Sequence, residues 1–280
     1  MRQEMTSALY RKGFGFRQVL AFIAILVLGS GAEGACRQPL EQDQQVRRTL
    51  AVTTTGVGVI TAWGIVNWDY FTEKPTASSE GWFGQESSEG GADKLGHMFT
   101  TYATSQGVAS LFEDWCFPRK DAALYGTLSS LAILSYMELG DAFSSYGFSY
   151  EDFLANAIGG LAGYYRYRYP EWASKVDFRW EVGLKPEQFD ITTDYDNSKY
   201  LLALKLNGFS AFRDSFLRHF ELHAGYYSRG YSDTDEPDER NLYIAIGLNI
   251  TDLFRRNGYD KTATFLNYYQ PPFTYFPTEK

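Results

Sequence analysis

The chain has 280 residues, a formal net charge of −8 and a pI near 5.0. That length can bury the core of one large domain or two small ones, and the acidity excludes nucleic acid as a partner. Two cysteines are too few for a disulfide framework, whereas 21 Tyr, 21 Phe and 6 Trp suit interfacial surfaces or rigidly packed β-structure.

Residues 1–35 read as a secretory signal. Arg2, Arg11, Lys12 and Arg17 form a basic leader, Val19 to Leu28 is an uncharged apolar run, and Gly29, Ser30, Gly31 and Ala32 follow as small residues. The apolar run is short for a membrane span, so export is expected, with an uncleaved anchor helix as the alternative. Cys36 is a candidate for lipidation, although Glu33, three residues before it, departs from the apolar residue usual there. An unlipidated Cys36 in an oxidising compartment can instead pair with Cys116.

Downstream, a polar segment from Arg37 starts a helix that continues into Thr49 to Trp68, a run of 20 uncharged residues including five threonines. Its length suits a bilayer, but the threonines and Gly56, Gly58 and Gly64 weaken that case. Residues 69–91 read as a loop. Further helices are expected over 93–113, 120–140 and 149–169, the last opened by a Ser149/Asp152 cap and closed before Pro170. Their uncharged stretches are each short for a lone span, so a bundle resting on the membrane and an embedded one both fit.

From Val176 the apolar period becomes two. Strands are expected over 176–184, 220–227 and 241–250, with 200–207 open between strand and helix and 262–270 a further strand. The acidic stretch 233–239 links the second and third as a hairpin. Three to five strands are too few for a closed outer-membrane barrel of about eight. The expected architecture is α+β: a helical bundle of about four helices over 37–172, then an antiparallel sheet over 173–280 packed on it.

The polar residues of the helices carry the functional reading. Asp93, Lys94 and His97 share a face at one helix start, Glu138 and Asp141 lie three apart at the next helix end, and Asp152 and Asn156 lie four apart at the following start. Gly159 and Gly163 extend that last stripe as helix-packing positions. In an up-down bundle these three ends coincide, so Asp93, Lys94, His97, Glu138, Asp141, Asp152 and Asn156 are expected to converge on one pocket. Acids at a helix C-terminus oppose the dipole, which points to a basic or cationic partner for Glu138 and Asp141. Each residue also has a plain structural use, as a first-turn acid, a packing device or a member of a paired buried network.

The runs DKLGH (93–97), ELGDAF (138–143), GFSYEDFLANAIGG (147–160) and GYYSRGY (225–231) resemble the YfiM-type family of predicted periplasmic lipoproteins, over most of 45–276. The helical pattern alone is also similar to VanZ-like membrane proteins, linked by name to glycopeptide resistance. The first resemblance implies a cell-envelope location and no particular reaction.

Three functions are open on these residues. Lys94 and His97 at a helix start can hold a lipid head group or another anionic envelope ligand. His97, Glu138, Asp141 and Asp152 can instead hold a divalent metal that activates water for a hydrolase. The aromatic strands can serve a structural or assembly role through an envelope protein partner. His219 and His223 read as surface or strand residues, and no serine or cysteine nucleophile motif is present. The expectation is an exported, periplasmic, membrane-associated protein without a cofactor, its inner or outer membrane unspecified, with a divalent metal as the alternative.

Overall fold

The computed structural model describes residues 36, 38–183, 194–231 and 237–277. The signal segment 1–35 and most of the acidic stretch 233–239 lie outside the described residues. Eight α-helices are present among those described: α1 (Gln42–Asn67), α2 (Ala92–Asp114), α3 (Arg119–Asp141), α4 (Tyr150–Arg168), α5 (Pro170–Lys175), α6 (Ser210–Arg213), α7 (Ile250–Arg256) and α8 (Asp260–Leu266). The strands are β1 (Ala77–Ser78), β2 (Phe148–Ser149), β3 (Val176–Val182), β4 (Ser198–Lys205), β5 (Phe220–Arg229), β6 (Glu239–Leu248) and β7 (Tyr275–Pro277). The chain divides into two compact units, the first holding the described residues up to Glu80 with Thr104–Tyr164, the second Gly81–Ala103 with Tyr165–Lys280.

The α+β class expected from the periodicities holds. α2, α3 and α4 start and stop within two residues of their expected limits. At α4 the Ser149 hydroxyl accepts from the Asp152 backbone N–H at 3.3 Å, which caps the first turn.

In the first unit α3 is the central helix. Small residues let its neighbours close on it: a Cβ at Gly126 would lie 2.6 Å from the Ala109 backbone nitrogen, and one at Gly140 would lie 2.2 Å from the Tyr70 ring. Thr53 on α1 donates to Ser129 on α3 at 3.0 Å, and Thr61 donates to Tyr136 at 2.9 Å. α1 is long and apolar enough to cross a membrane. A small apolar core of Val108, Phe112, Phe117 and Ala122 sits beside the Cys36–Cys116 disulfide.

The burial pattern of these helices is inverted relative to a water-soluble bundle. α3 buries Gly126, Thr127, Ser129, Ser130 and Glu138 along with Ile133 and Leu134, while exposing Leu124, Leu128 and Leu139. α4 buries Asp152, Asn156, Gly159, Gly160 and Gly163 while exposing Leu154, Ile158 and Leu161. α1 buries only Gln45, Gly56 and Gly64.

In the second unit β3 to β7 form one antiparallel sheet in sequence order. The ambiguous segment around 200–207 is strand β4, because Leu201 and Ala203 alternate with Leu202 and Leu204 against β5. Residues 262–270 are a correction: they lie mostly in α8, where Ala263 and Leu266 are buried one turn apart, and the fifth strand comes later as β7. After α8 the chain touches both edges of the sheet. Trp180 on β3 exchanges backbone hydrogen bonds with Tyr268 and Gln270, and β7 pairs with β6. The sheet therefore curls around one of its faces.

That enclosed face is the charged one. Asp177 and Arg179 on β3, Lys205 on β4, and Glu221 and His223 on β5 are buried. The opposite face carries Phe178, Trp180 and Tyr200, packed with Phe99 and Tyr102 of α2 at ring separations of 5.6–6.2 Å. Further along, the same outer face is bare: Leu242 is 85 % exposed and Ile244 64 %.

Candidate functional site

The seven residues expected to meet divide between the two units. Glu138, Asp141, Asp152 and Asn156 belong to the first; Asp93, Lys94 and His97 belong to the second.

In the first unit, the end of α3, the start of α4 and the loop after α1 bring acids together. The short parallel pair β1–β2 aligns Ser78 with Ser149, which holds that loop beside the α4 start. Asn156 donates to Glu138 at 3.4 Å. Ser79 donates to Glu151 at 2.6 Å, and the Glu80 backbone N–H reaches the other Glu151 oxygen at 3.4 Å. Glu80 and Asp152 place carboxylate oxygens within 4.8 Å of one another. Glu138, Glu151 and Asp152 are all buried.

Asp141 reports the electrostatics of this cluster. Burial pushes its carboxyl up to about 7; the charges of Asp152 and Glu80 add to the rise, and the Tyr70 hydroxyl partly offsets it. Tyr70 itself is wedged against Gly64 and Gly140 and donates to the Met137 carbonyl at 3.0 Å. Its phenol is pushed far above the ordinary range by burial first and by Asp141 and Glu138 after it. Every described ligand atom in this unit's cluster is oxygen apart from the Asn156 amide nitrogen, a donor set for a hard cation or an ammonium group.

In the second unit, Lys94 is wholly buried and its ammonium meets Asp93 at 2.6 Å. The other Asp93 oxygen accepts the Lys94 backbone N–H at 2.9 Å. His97 is half-buried one turn on, and its carbonyl accepts from Thr101 at 3.0 Å. Gly96 leaves room for the Tyr195 and Tyr200 rings. The GYYSRGY run has a local purpose: Tyr226 donates to the Gly90 carbonyl and Tyr231 to Gln85, clamping the turn before α2. Within that turn burial pushes Glu89 up to about 7, helped by Asp196, Asp93 and Asp194.

The sequence reading missed three members of the first cluster, Tyr70, Glu80 and Glu151. Only Glu151 carried a signal, as a first-turn acid beside Asp152. It also missed the ionic interior of the sheet. Arg179 bridges Asp177 at 2.9 Å and Glu221 at 2.5 Å, Lys205 meets Asp177 at 2.8 Å, and Arg166 meets the same carboxylate at 2.7 Å. Burial alone would raise Asp177, but Lys205, Arg166 and Arg179 outweigh it and hold its carboxyl below the usual range. His223, read as a surface or strand residue, is a fully buried strand residue 2.8 Å from Glu221. Alternation of Asp177, Arg179 and Glu181 with apolar neighbours was visible, but it is the ordinary mark of a wet face.

Gly159 and Gly163 are both buried on α4, and beside them a Cβ at Gly160 would lie 2.9 Å from Leu131. Lipidation at Cys36 meets a physical conflict: its sulfur is bonded to Cys116, and a disulfide sulfur cannot also carry an acylglyceryl thioether.

No curated protein and no solved structure matches the chain. Among protein families, residues 79–168 match the model described as "Predicted periplasmic lipoprotein (DUF2279)", a shorter stretch than the 45–276 expected and without the VanZ likeness, so the α2–α4 region is similar to that family.

Proposed function

We propose that this chain is an exported envelope protein that lies against lipid through its helices and holds a cation on the carboxylates of α3 and α4. The observation that carries this reading is the inverted helix: α3 and α4 turn Glu138, Asp152 and Asn156 inward and Leu128, Leu139, Leu154 and Ile158 outward. Hydrocarbon around the helices accounts for the outer residues, and the oxygen-rich cluster at the end of α3 and the start of α4 is a donor set of the kind a hard cation takes. The family description of residues 79–168 supports the envelope location.

A cation fits better than an anionic head group. The first unit's cluster gathers Glu80, Glu138, Asp141, Glu151 and Asp152, carboxylates that favour a positive ligand over an anion. A divalent metal and a head-group ammonium share the required chemistry.

The test is a melting series on the purified full chain in detergent, with Ca²⁺, Mg²⁺ or Mn²⁺ in one arm and phosphatidylethanolamine against phosphatidylcholine in the other. A rise in Tm in either arm, lost in Glu138→Gln and Asp152→Asn, is expected. The arm that responds names the source. No shift in either arm, with no stoichiometric metal by elemental analysis, overturns the cation.

A further inference from the structure

We infer that the second unit docks on an anionic lipid surface through the bare outer face of its sheet and the basic rim at one end of it. This rests on the membrane reading above but on different residues. Leu202, Leu222, Leu242, Ile244, Ile246 and Leu248 are all exposed on one face, and the cross-strand register sets Leu202, Ala224 and Ile244 in one row and Leu222 and Ile246 in the next. A contiguous apolar patch of this kind on a folded sheet marks a surface that meets something other than water.

Two features select lipid. The first is polarity: the enclosed face of the same strands holds Asp177, Arg179, Lys205, Glu221 and His223, so apolar side chains face out while charges face in. A sheet in water has the reverse order, and apolar-out with polar-in is the order of sheets bathed by acyl chains. The second is charge. The β4–β5 connection and α7 lie at one end of the sheet, tied by the Asn249 N–H to the His219 carbonyl at 2.8 Å and by Arg218 to Asp252 at 3.2 Å. That end exposes Arg213, Arg255, Arg256 and Lys261, outnumbering the exposed Asp214 and Asp260, beside the exposed Phe216, Leu217 and Leu253. The far end of the β5–β6 hairpin exposes two acids, Asp238 and Glu239, against one base, Arg240.

In a chain of net charge −8, a basic and aromatic rim bordering an apolar face complements anionic head groups over acyl chains. The acidic hairpin end points the opposite way along the strands. The polarity of the sheet thus sets an orientation, with the α6–α7 end toward the head groups and the hairpin end away from them.

The test uses the full chain with its disulfide intact. Ile244→Cys and, separately, Asp238→Cys are labelled with bimane and mixed with phosphatidylcholine vesicles, with or without phosphatidylglycerol, carrying spin-labelled acyl chains as quencher. Quenching at position 244 but not at 238, growing with phosphatidylglycerol content and losing that dependence in Arg255→Gln/Arg256→Gln, is expected. A label at 244 that stays unquenched while the chain floats with the vesicles overturns the docking face and leaves the helix reading standing. A label that shifts to the blue with rising protein concentration in the absence of vesicles overturns it in favour of a second copy.

Discussion

Asp141 shows how one carboxyl ties burial to pH. Its folded value of about 7 lies above its ordinary 3.8, so the neutral form is the one the fold favours. Stability from this group is complete below pH about 4 and is lost as pH rises through 7. Between pH 5 and 8 the melting temperature of the native chain in chelator is expected to fall, and Asp141→Asn, which cannot ionise, to flatten that fall. An unchanged slope in the variant would remove Asp141 as its source. The pair Glu138 and Asp141 was legible in the sequence because acids at a helix C-terminus are unfavourable without a partner. Tyr70 and Glu80 were not legible, since both sit in an aperiodic loop whose path the β1–β2 pairing sets.

At the level of elements, the packing of the first unit depends on missing side chains more than on filled ones. Gly126 lets α3 approach the backbone of α2, where the obstacle to any Cβ is main chain and cannot rotate away. Gly126→Leu is therefore expected to lower the unfolding free energy by about 1–3 kcal/mol, the usual range for overpacking. Gly58, against which nothing lies within 4 Å, provides the control: Gly58→Leu is expected to leave the melting transition unchanged or raise it. Chemical denaturation of both variants in one detergent gives the comparison. The helices were readable from uncharged runs and caps, and β3, β5 and β6 from their period. Residues 262–270 misled because Thr, Phe and Tyr favour strands, while the buried pair Ala263 and Leu266 settles the helix through tertiary contact.

Across the whole molecule, the covalent link between Cys36 and Cys116 closes a separation of 80 residues. A loop of that length is worth about 4.5 kcal/mol by the chain-entropy argument, so Cys116→Ser is expected to lose roughly that much stability. Intact mass of the chain extracted from its envelope under non-reducing conditions is expected to be lighter by two hydrogens than after reduction. An added acylglyceryl mass would instead show that Cys36 is anchored and the disulfide absent. Period and composition alone determined the α+β class, the helix limits and the acidic residue types gathered at helix ends, because these follow from local spacing along the chain. Only the tertiary structure decided which faces are inside. Alternation names two faces of a strand or helix without saying which one meets water, and curling the sheet around Arg179 and Glu221 reverses the ordinary assignment.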